Sequence, residues 1–312
     1  MYHRRQRARI VLFGMRCAPT EPVVAALLAA PEIDLRAVVL PESPESIPES
    51  APGPVVDAAR SGKVALVGLP NRATFGSPAF RSVLEAIAPD AIVVACFPWR
   101  LPEWLLALPT RCCLNVHPSL LPEGRGPEPV FWAFRWGLVE TGVTIHVMDS
   151  GFDTGPIVTQ RTVTIPEVAT IGSLEGMLAN IGAKLLIDCL PAWLNGSVVG
   201  SVQEGGQSRY ASAPGPEDMV VPTTWSAPRA ARFIRAVPAS HGPVSVAVYD
   251  TGQRLAVAEV VDTFDHPTLA EAVRFQGLDV HIRFSPGVLI CRLATLSHPL
   301  RFHGNVPDRS EA

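Results

Sequence analysis

Five short runs of aliphatic and β-branched residues punctuate the first part of the chain: 9–13 (RIVLF), 34–40 (DLRAVVL), 63–69 (KVALVGL), 91–97 (AIVVACF) and 112–116 (CCLNV). Each is almost continuously apolar, the pattern of strands covered on both faces in a parallel sheet. Between them, 21–30, 54–61, 77–87 and 128–137 carry helical character. The alternation predicts βαβ units and an α/β fold with a Rossmann-like, mostly parallel sheet. Two later runs, 141–149 (TGVTIHVMD) and 156–165 (PIVTQRTVTI), read as strands flanking the turn SGFDTG, and 172–195 reads as a long helix.

From 196 to 222 the chain turns polar and rich in Gly, Ser and Pro, the composition of an inter-domain connection. Beyond it come a short helix at 226–236 and alternating β-like runs at 244–249, 255–261, 279–284 and 287–293. The expected organisation is a catalytic domain at 1–200, a linker at 201–222 and a smaller β-rich, OB-like domain at 223–312 that reads as a small barrel or sandwich.

Composition narrows the possibilities. An apolar share of 47%, a charged share of 18% and a net charge of −3 describe an ordinary globular chain without a general field for nucleic acid. The six cysteines, Cys17, Cys96, Cys112, Cys113, Cys189 and Cys291, contain no CxxC pair, so neither a zinc site nor a disulfide scaffold is expected, and no metal. No run approaches 18 consecutive apolar residues, and the start (MYHRRQRARIVLF) lacks the features of a secretory signal. The chain therefore reads as cytoplasmic, with no membrane partner. After the first strand only Gly14 is present, where a dinucleotide fingerprint needs three glycines, so NAD or FAD is not expected.

The chemistry concentrates where the fifth run leaves the sheet, at Asn115-Val116-His117-Pro118-Ser119-Leu120-Leu121-Pro122. Residues two apart on a strand face the same way, so Asn115 and His117 project together at the carboxyl end, where α/β sheets hold ligands. Further on, Asp153 sits in a glycine-bracketed turn that can return a carboxylate to the histidine. Acyl transfer to an amine needs an oxyanion donor, a proton-transfer group of near-neutral pKa and a carboxylate that orients it. Asn115, His117 and Asp153 can serve in that order. Taken bare, Asn-x-His is more often a hydrogen-bonded core pair, and an Asp in such a turn is more often a turn former.

The stretch 115–158 resembles the signature region of the folate-dependent formyltransferases, through Asn-x-His-x-Ser-Leu-Leu-Pro, Arg125-Gly126, the Glu-Thr-Gly-Val-Thr of 140–144, and Asp153-x-Gly155-Pro156. The resemblance implies 10-formyltetrahydrofolate as formyl donor and Asn115, His117 and Asp153 as the catalytic trio. It also implies a pterin pocket lined by the loop Phe97-Pro98-Trp99-Arg100-Leu101, with Ser119, Leu120, Leu121 and Pro122 completing the donor site. The alternative for Phe97 and Trp99 is that they simply cap the core.

The acceptor is harder to read. Family members that act on tRNA carry a basic loop after the second strand, whereas 41–50 here (PESPESIPES) holds Glu42, Glu45 and Glu49 and no basic residue. Residues 215–312 contain nine Arg against ten Asp plus Glu, and the basic run at 3–9 reads as a solvated N-terminus. Phosphate contacts are hard to assemble from such charges. The expectation is therefore a small-molecule amine or hydroxylamine acceptor, with initiator methionyl-tRNA as the alternative. A folate-binding module with a decayed site is a third reading, opposed by the intact trio.

Overall fold

The computed structural model describes residues 7–42, 53–204, 208–237, 241–265 and 269–294. The chain divides into two compact units, Met1–Gly215 and Pro216–Ala312.

The first unit follows the expected alternation: β1 (Ala8–Gly14), α1 (Glu21–Ala29), β2 (Ile33–Leu40), α2 (Pro54–Ser61), β3 (Ala65–Gly68), α3 (Pro78–Ile87), β4 (Ala91–Ala95), a one-turn α4 (Glu103–Leu106), β5 (Cys112–His117), α5 (Pro129–Trp136), β6 (Glu140–Val147), β7 (Ile157–Thr164) and α6 (Ile171–Leu194). Helices α1, α2, α3 and α5 each carry a proline in their first turn, where its fixed φ suits the helix and its missing N–H is no loss. The long α6 opens on a capping box: Ser173 N donates to Thr170 Oγ1 at 3.2 Å, and Thr170 N donates to Ser173 Oγ at 2.9 Å.

The seven strands lie in the order β3-β2-β1-β4-β5-β6-β7. β3 to β5 run parallel, while β6 and β7 add antiparallel strands. The near-continuous apolar runs are explained by burial on both faces. Ile10 and Leu12 of β1 pack with Val23 and Leu27 of α1 and Leu186 of α6, while Val11 and Phe13 pack on the opposite face with Phe80 and Leu84 of α3. By length and composition α6 is sufficient to cross a membrane, which the count of consecutive apolar residues misses. Its buried Leu174, Leu178, Leu186 and Leu190 make it a core helix.

Strand order reverses between β1 and β4, since β1 lies between β2 and β4. A crevice at the carboxyl ends of the strands is the geometric consequence of that switch. Residues 201–204 and 208–211, within the stretch read as a linker from sequence, meet this first unit: Ser201 bridges to Ile157 and Tyr210 to Arg125. The division between the units falls after Gly215.

The second unit holds β8 (Val220–Pro222), α7 (Ala227–Ala236), β9 (Val244–Val248), β10 (Gln253–Phe264), β11 (Val273–Gln276), β12 (Asp279–Arg283) and β13 (Val288–Leu293). Its strands form one sheet in the order β11-β12-β13-β10-β9-β8. Two register shifts interrupt the pairing of the long β10 with β13. Among the described residues the edges β8 and β11 do not pair with each other, so the β-rich unit is an open sheet as described.

Candidate functional site

Asn115 and His117 stand on β5, and the antiparallel β6 places His146 directly opposite Asn115. Asp153 arrives from the turn between β6 and β7. Asp149 fixes that turn by accepting from Gly151 N at 2.9 Å and from Thr154 Oγ1 at 2.7 Å. Gly155 admits no side chain, since a Cβ there would meet the Val147 carbonyl oxygen at 1.9 Å. Asp153 itself takes a left-handed backbone, φ 54°, which costs a non-glycine residue free energy and persists only where neighbours enforce it.

Gln203 supplies that enforcement. Its amide donates to the carbonyls of Asp153 at 2.8 Å and Gly155 at 2.7 Å, while its own oxygen accepts from Arg125 Nε at 3.0 Å and a terminal nitrogen at 2.6 Å. Gly126, φ 118°, donates its N–H to Asp153 Oδ2 at 2.9 Å. A Cβ at Gly126 would meet the Ala211 carbonyl oxygen at 2.6 Å.

The protonation pattern follows from these partners. A carbonyl only accepts, so His117 Nε2, 2.9 Å from Gly124 O, carries a hydrogen. That leaves Nδ1 as the basic nitrogen, 3.8 Å from Asp153 Oδ1. By the same argument His146 Nδ1 donates to the Val147 carbonyl, 2.9 Å away. Its Nε2 then accepts from Asn115 Nδ2 at 3.2 Å and lies 3.5 Å from Asp153 Oδ1. Asn115 gives its second amide hydrogen to Asp153 Oδ1 at 3.3 Å. Burial pushes the His117 imidazole below its usual value, and the opposing pull of Asp153 does not restore it. Burial also resists ionisation of Asp153, but the attraction of the facing His117 and the Gly126 N–H outweigh it. Its carboxyl sits well below the usual carboxylate range. The resting site thus pairs a neutral imidazole with a carboxylate.

These groups floor a cleft of about 690 Å³ at the switch point, walled by Met15, Pro19, Cys96, Phe97, Pro98 and Trp99. That volume is in the range of drug-sized ligand sites. Phe97 and Trp99 meet edge to face at 5.6 Å and also pack on the core, so they cap the core and line the cleft at once. Arg100 reaches the cleft, and its guanidinium lies over the Phe152 ring at 4.7 Å. Leu101, by contrast, is buried in the core beneath the loop.

Ser119, Leu120, Leu121 and Pro122 also lie off the cleft wall. Ser119 Oγ donates to Glu123 O at 2.7 Å, and Leu121 N donates to Thr144 Oγ1 at 3.1 Å. They hold the β5 exit loop against β6 rather than facing the cavity. Sequence reasoning missed His146 and Gln203. Cross-strand pairing with Asn115 marks the first, but nothing in the polar stretch around 203 marks the second. Among the described residues no cluster of three or more His, Cys, Asp or Glu has the arrangement of a metal site.

Residues 47–190 match the family model described as Formyl transferase. The methionyl-tRNA formyltransferase of Aromatoleum aromaticum is 34% identical over 219 residues, covering 70% of this chain and 68% of that protein. The enzyme of the same name from Myxococcus xanthus is 38% identical over 62% of this chain and 60% of its own length. That of Syntrophus aciditrophicus is 42% identical over 48% and 47%. The chain thus spans less than two thirds of the second and third of these relatives. Among solved structures, an N-formyltransferase from Helicobacter canadensis in complex with folinic acid and dTDP-3-aminofucose shares the fold, with TM-score 0.65 and 15% identity over 92% of this chain and 99% of that one. Glycinamide ribonucleotide transformylase 1 from Symbiobacterium toebii does so with TM-score 0.55 and 22% identity, over 65% and 96%.

These relatives overturn the expectation of a small-molecule acceptor, because the sequence matches are named methionyl-tRNA formyltransferases. The charge argument fails for two physical reasons. Glu42 is neutralised by an ion pair with Arg16 at 2.7 Å, while Glu45 and Glu49 lie outside the described residues. A net count over 215–312 also hides placement, since α7 exposes Arg235 while its acidic neighbours in sequence lie on other elements. The chain belongs to the folate-dependent formyltransferase family.

Proposed function

We propose that the protein transfers the formyl group of 10-formyltetrahydrofolate to the amino group of methionyl-tRNA, in the cytoplasm. The observation that carries this reading is the match to methionyl-tRNA formyltransferases over 70% of the chain, on a fold that gathers Asn115, His117 and Asp153 at one cleft. The cleft suits a flat heteroaromatic donor: it has the volume for one and an apolar, aromatic wall at Phe97 and Trp99. The donor supplies a formyl carbon already bonded to nitrogen, so no Ser or Cys nucleophile is needed.

His117 Nδ1 takes the proton of the attacking amine, for which burial keeps it neutral beforehand, and returns it to the folate nitrogen as the bond from that nitrogen to the formyl carbon breaks. Once charged, that nitrogen faces the Asp153 carboxylate 3.8 Å away, which stabilises the imidazolium. Asn115 offers an amide hydrogen to the developing oxyanion. In the resting site both its hydrogens are engaged, at 3.2 and 3.3 Å, so it releases one of two long bonds to do this. Arg235, exposed on α7, offers a phosphate contact.

The test is formylation of charged initiator tRNA with 10-formyltetrahydrofolate at about 0.15 M salt, beside a methionyl-tRNA formyltransferase as positive control. Efficient formylation that weakens steeply with added salt is expected. No formylated product, under conditions where the control enzyme completes the reaction, refutes the reading.

A further inference from the structure

Two cysteines that the proposed chemistry does not use meet at the rim of the cleft. Cys17 belongs to the turn after β1, and Cys96 follows β4 directly, so the switch in strand order brings them together from positions 79 residues apart. The Cys17 thiol donates toward Cys96 Sγ at 3.3 Å, and Thr20 Oγ1 lies 3.4 Å from Cys17 Sγ. Cys96 is exposed and Cys17 partly so, whereas Cys112, Cys113 and Cys291 are buried. We propose that Cys17 and Cys96 are a modification site, a dithiol that peroxides convert to a disulfide, which alters the cleft wall.

Electrostatics favour Cys17 as the attacking group. Once Cys17 ionises, the Cys96 thiol turns its hydrogen onto the thiolate, and that bond, against the opposing effect of burial and with help from Thr20, pulls the Cys17 thiol down to about 6. Cys96, which shares that bond with Cys17 and is itself partly desolvated, moves the opposite way. Burial raises Cys112 and Cys189 to about 11 and Cys291 to about 12, and raises Cys113 as well. Near neutral pH Cys17 is therefore the cysteine with thiolate character, and the thiolate is the form that peroxide oxidises.

The balance is complete with a hydroperoxide as oxidant. Cys17 sulfur attacks one peroxide oxygen, the O–O bond breaks, and a sulfenic acid and one water (alcohol, for an alkyl hydroperoxide) result. Cys96 sulfur then loses its proton and displaces the sulfenic oxygen as water, forming the S–S bond. The two thiols lose two electrons and two protons in all. Bonding requires the sulfurs, now 3.3 Å apart, to close to about 2.05 Å. Cys96 lines the cleft and leads into Phe97, Pro98 and Trp99, while Met15 and Pro19, which also line it, flank Cys17. Closure therefore shifts both lining segments. The predicted loss of donor affinity rests on this cleft being the donor site, but the thiol chemistry itself does not.

The test treats the intact protein with a slight molar excess of hydrogen peroxide at pH 7, then traps free thiols and maps peptides. A Cys17–Cys96 cross-link, with the other four cysteines still free and full reversal by dithiothreitol, is expected. Overoxidised Cys17 without a cross-link, or a cross-link between other cysteines, overturns the proposal. Binding of folinic acid, followed by calorimetry, should weaken several-fold on oxidation and recover on reduction, and Cys17→Ser should lose that response to peroxide. Unchanged folinic acid affinity in protein shown by mapping to be cross-linked overturns the coupling to the cleft. Should folinic acid fail to bind the reduced protein, the donor-site reading falls, while the peptide map still decides the thiol chemistry.

Discussion

Gln203→Ala removes the side chain that holds the Asp153 turn in place. The amide of Gln203 makes two bonds to backbone carbonyls, those of Asp153 and Gly155, and its oxygen accepts from the Arg125 guanidinium. Two neutral hydrogen bonds contribute about 1 kcal/mol each, and one to a charged partner about 1.5–3 kcal/mol. Gln203 is buried, but Arg125 is only partly so and regains some water when freed, so the loss should be about 3–4 kcal/mol. For a unit of this size that corresponds to roughly 6–16 °C in the unfolding midpoint. A second effect acts on chemistry. Asp153 is held at φ 54°, and without the clamp it relaxes toward ordinary backbone, carrying its carboxylate away from His117. A misplacement of about 1 Å lowers a rate by about 10²-fold. The assay is thermal unfolding followed by circular dichroism, with single-turnover formyl transfer at a temperature where the variant is folded. Gln203→Glu is a useful companion, since it keeps the Arg125 partner but turns a carboxylate oxygen toward a carbonyl, and it should not rescue the rate. A midpoint within 2 °C of wild type, or a wild-type single-turnover rate in Gln203→Ala, would refute the reasoning.

Two further outcomes are expected. His117→Ala should lower turnover by about 10²–10⁴-fold, the range for loss of a general base, with folinic acid binding retained by calorimetry. Near-wild-type turnover would remove His117 from the chemistry. The first unit should also be acid-labile. The folded value of His117 lies below its ordinary 6.5, so between the two the unfolded chain binds a proton that the folded chain does not. Stability is then complete above pH 6.5 and falls as pH drops below it, by up to about 1.4 kcal/mol per pH unit for one proton. Asp153 acts in the same direction lower down, its contribution present above 3.8 and lost as pH falls toward its depressed folded value. Urea midpoints at pH 7.5 and 5.5 should differ in wild type and converge in His117→Gln. Equal midpoints in the wild type would contradict the burial argument.

What could be read from the sequence follows the range of the forces involved. The first-unit strands and helices were legible because burial on both faces leaves a continuous apolar signature, as in Ile10 to Phe13. The edge strands β8 and β11 were not. The first has three residues ending in Pro222, and the second is exposed along most of its length. At the site, period-two spacing on β5 gave Asn115 and His117 a common face. The convergence of Asp153 and His146 on them depends on a turn and a cross-strand register, which neighbouring residues do not encode. Gln203 was illegible for the same reason, because it lies in a Gly- and Ser-rich stretch and acts on residues 48 and 50 positions away. Leu101 and Ser119–Pro122 do not line the cleft, because contiguity in a motif does not give direction. Ser119 Oγ and Leu121 N instead bond within the loop and to β6.

The strand order also bears on how the chain acquires its shape. β1 to β3 and β4 to β7 can each form through comparatively local pairings, but the join between β1 and β4 brings Ile10 beside Ala91 and Gly14 beside Ala95. Closing a loop of that length carries an entropic cost before any contact repays it. Arg9 ties that join by offering its backbone N–H and its guanidinium to Asp90. Asn115, His117, His146 and Asp153 all belong to the later half, while Met15 and Pro19 of the cleft belong to the earlier one. The proton-handling groups can therefore assemble before the cavity they serve exists, and the cavity becomes whole only when the two halves of the sheet zip together.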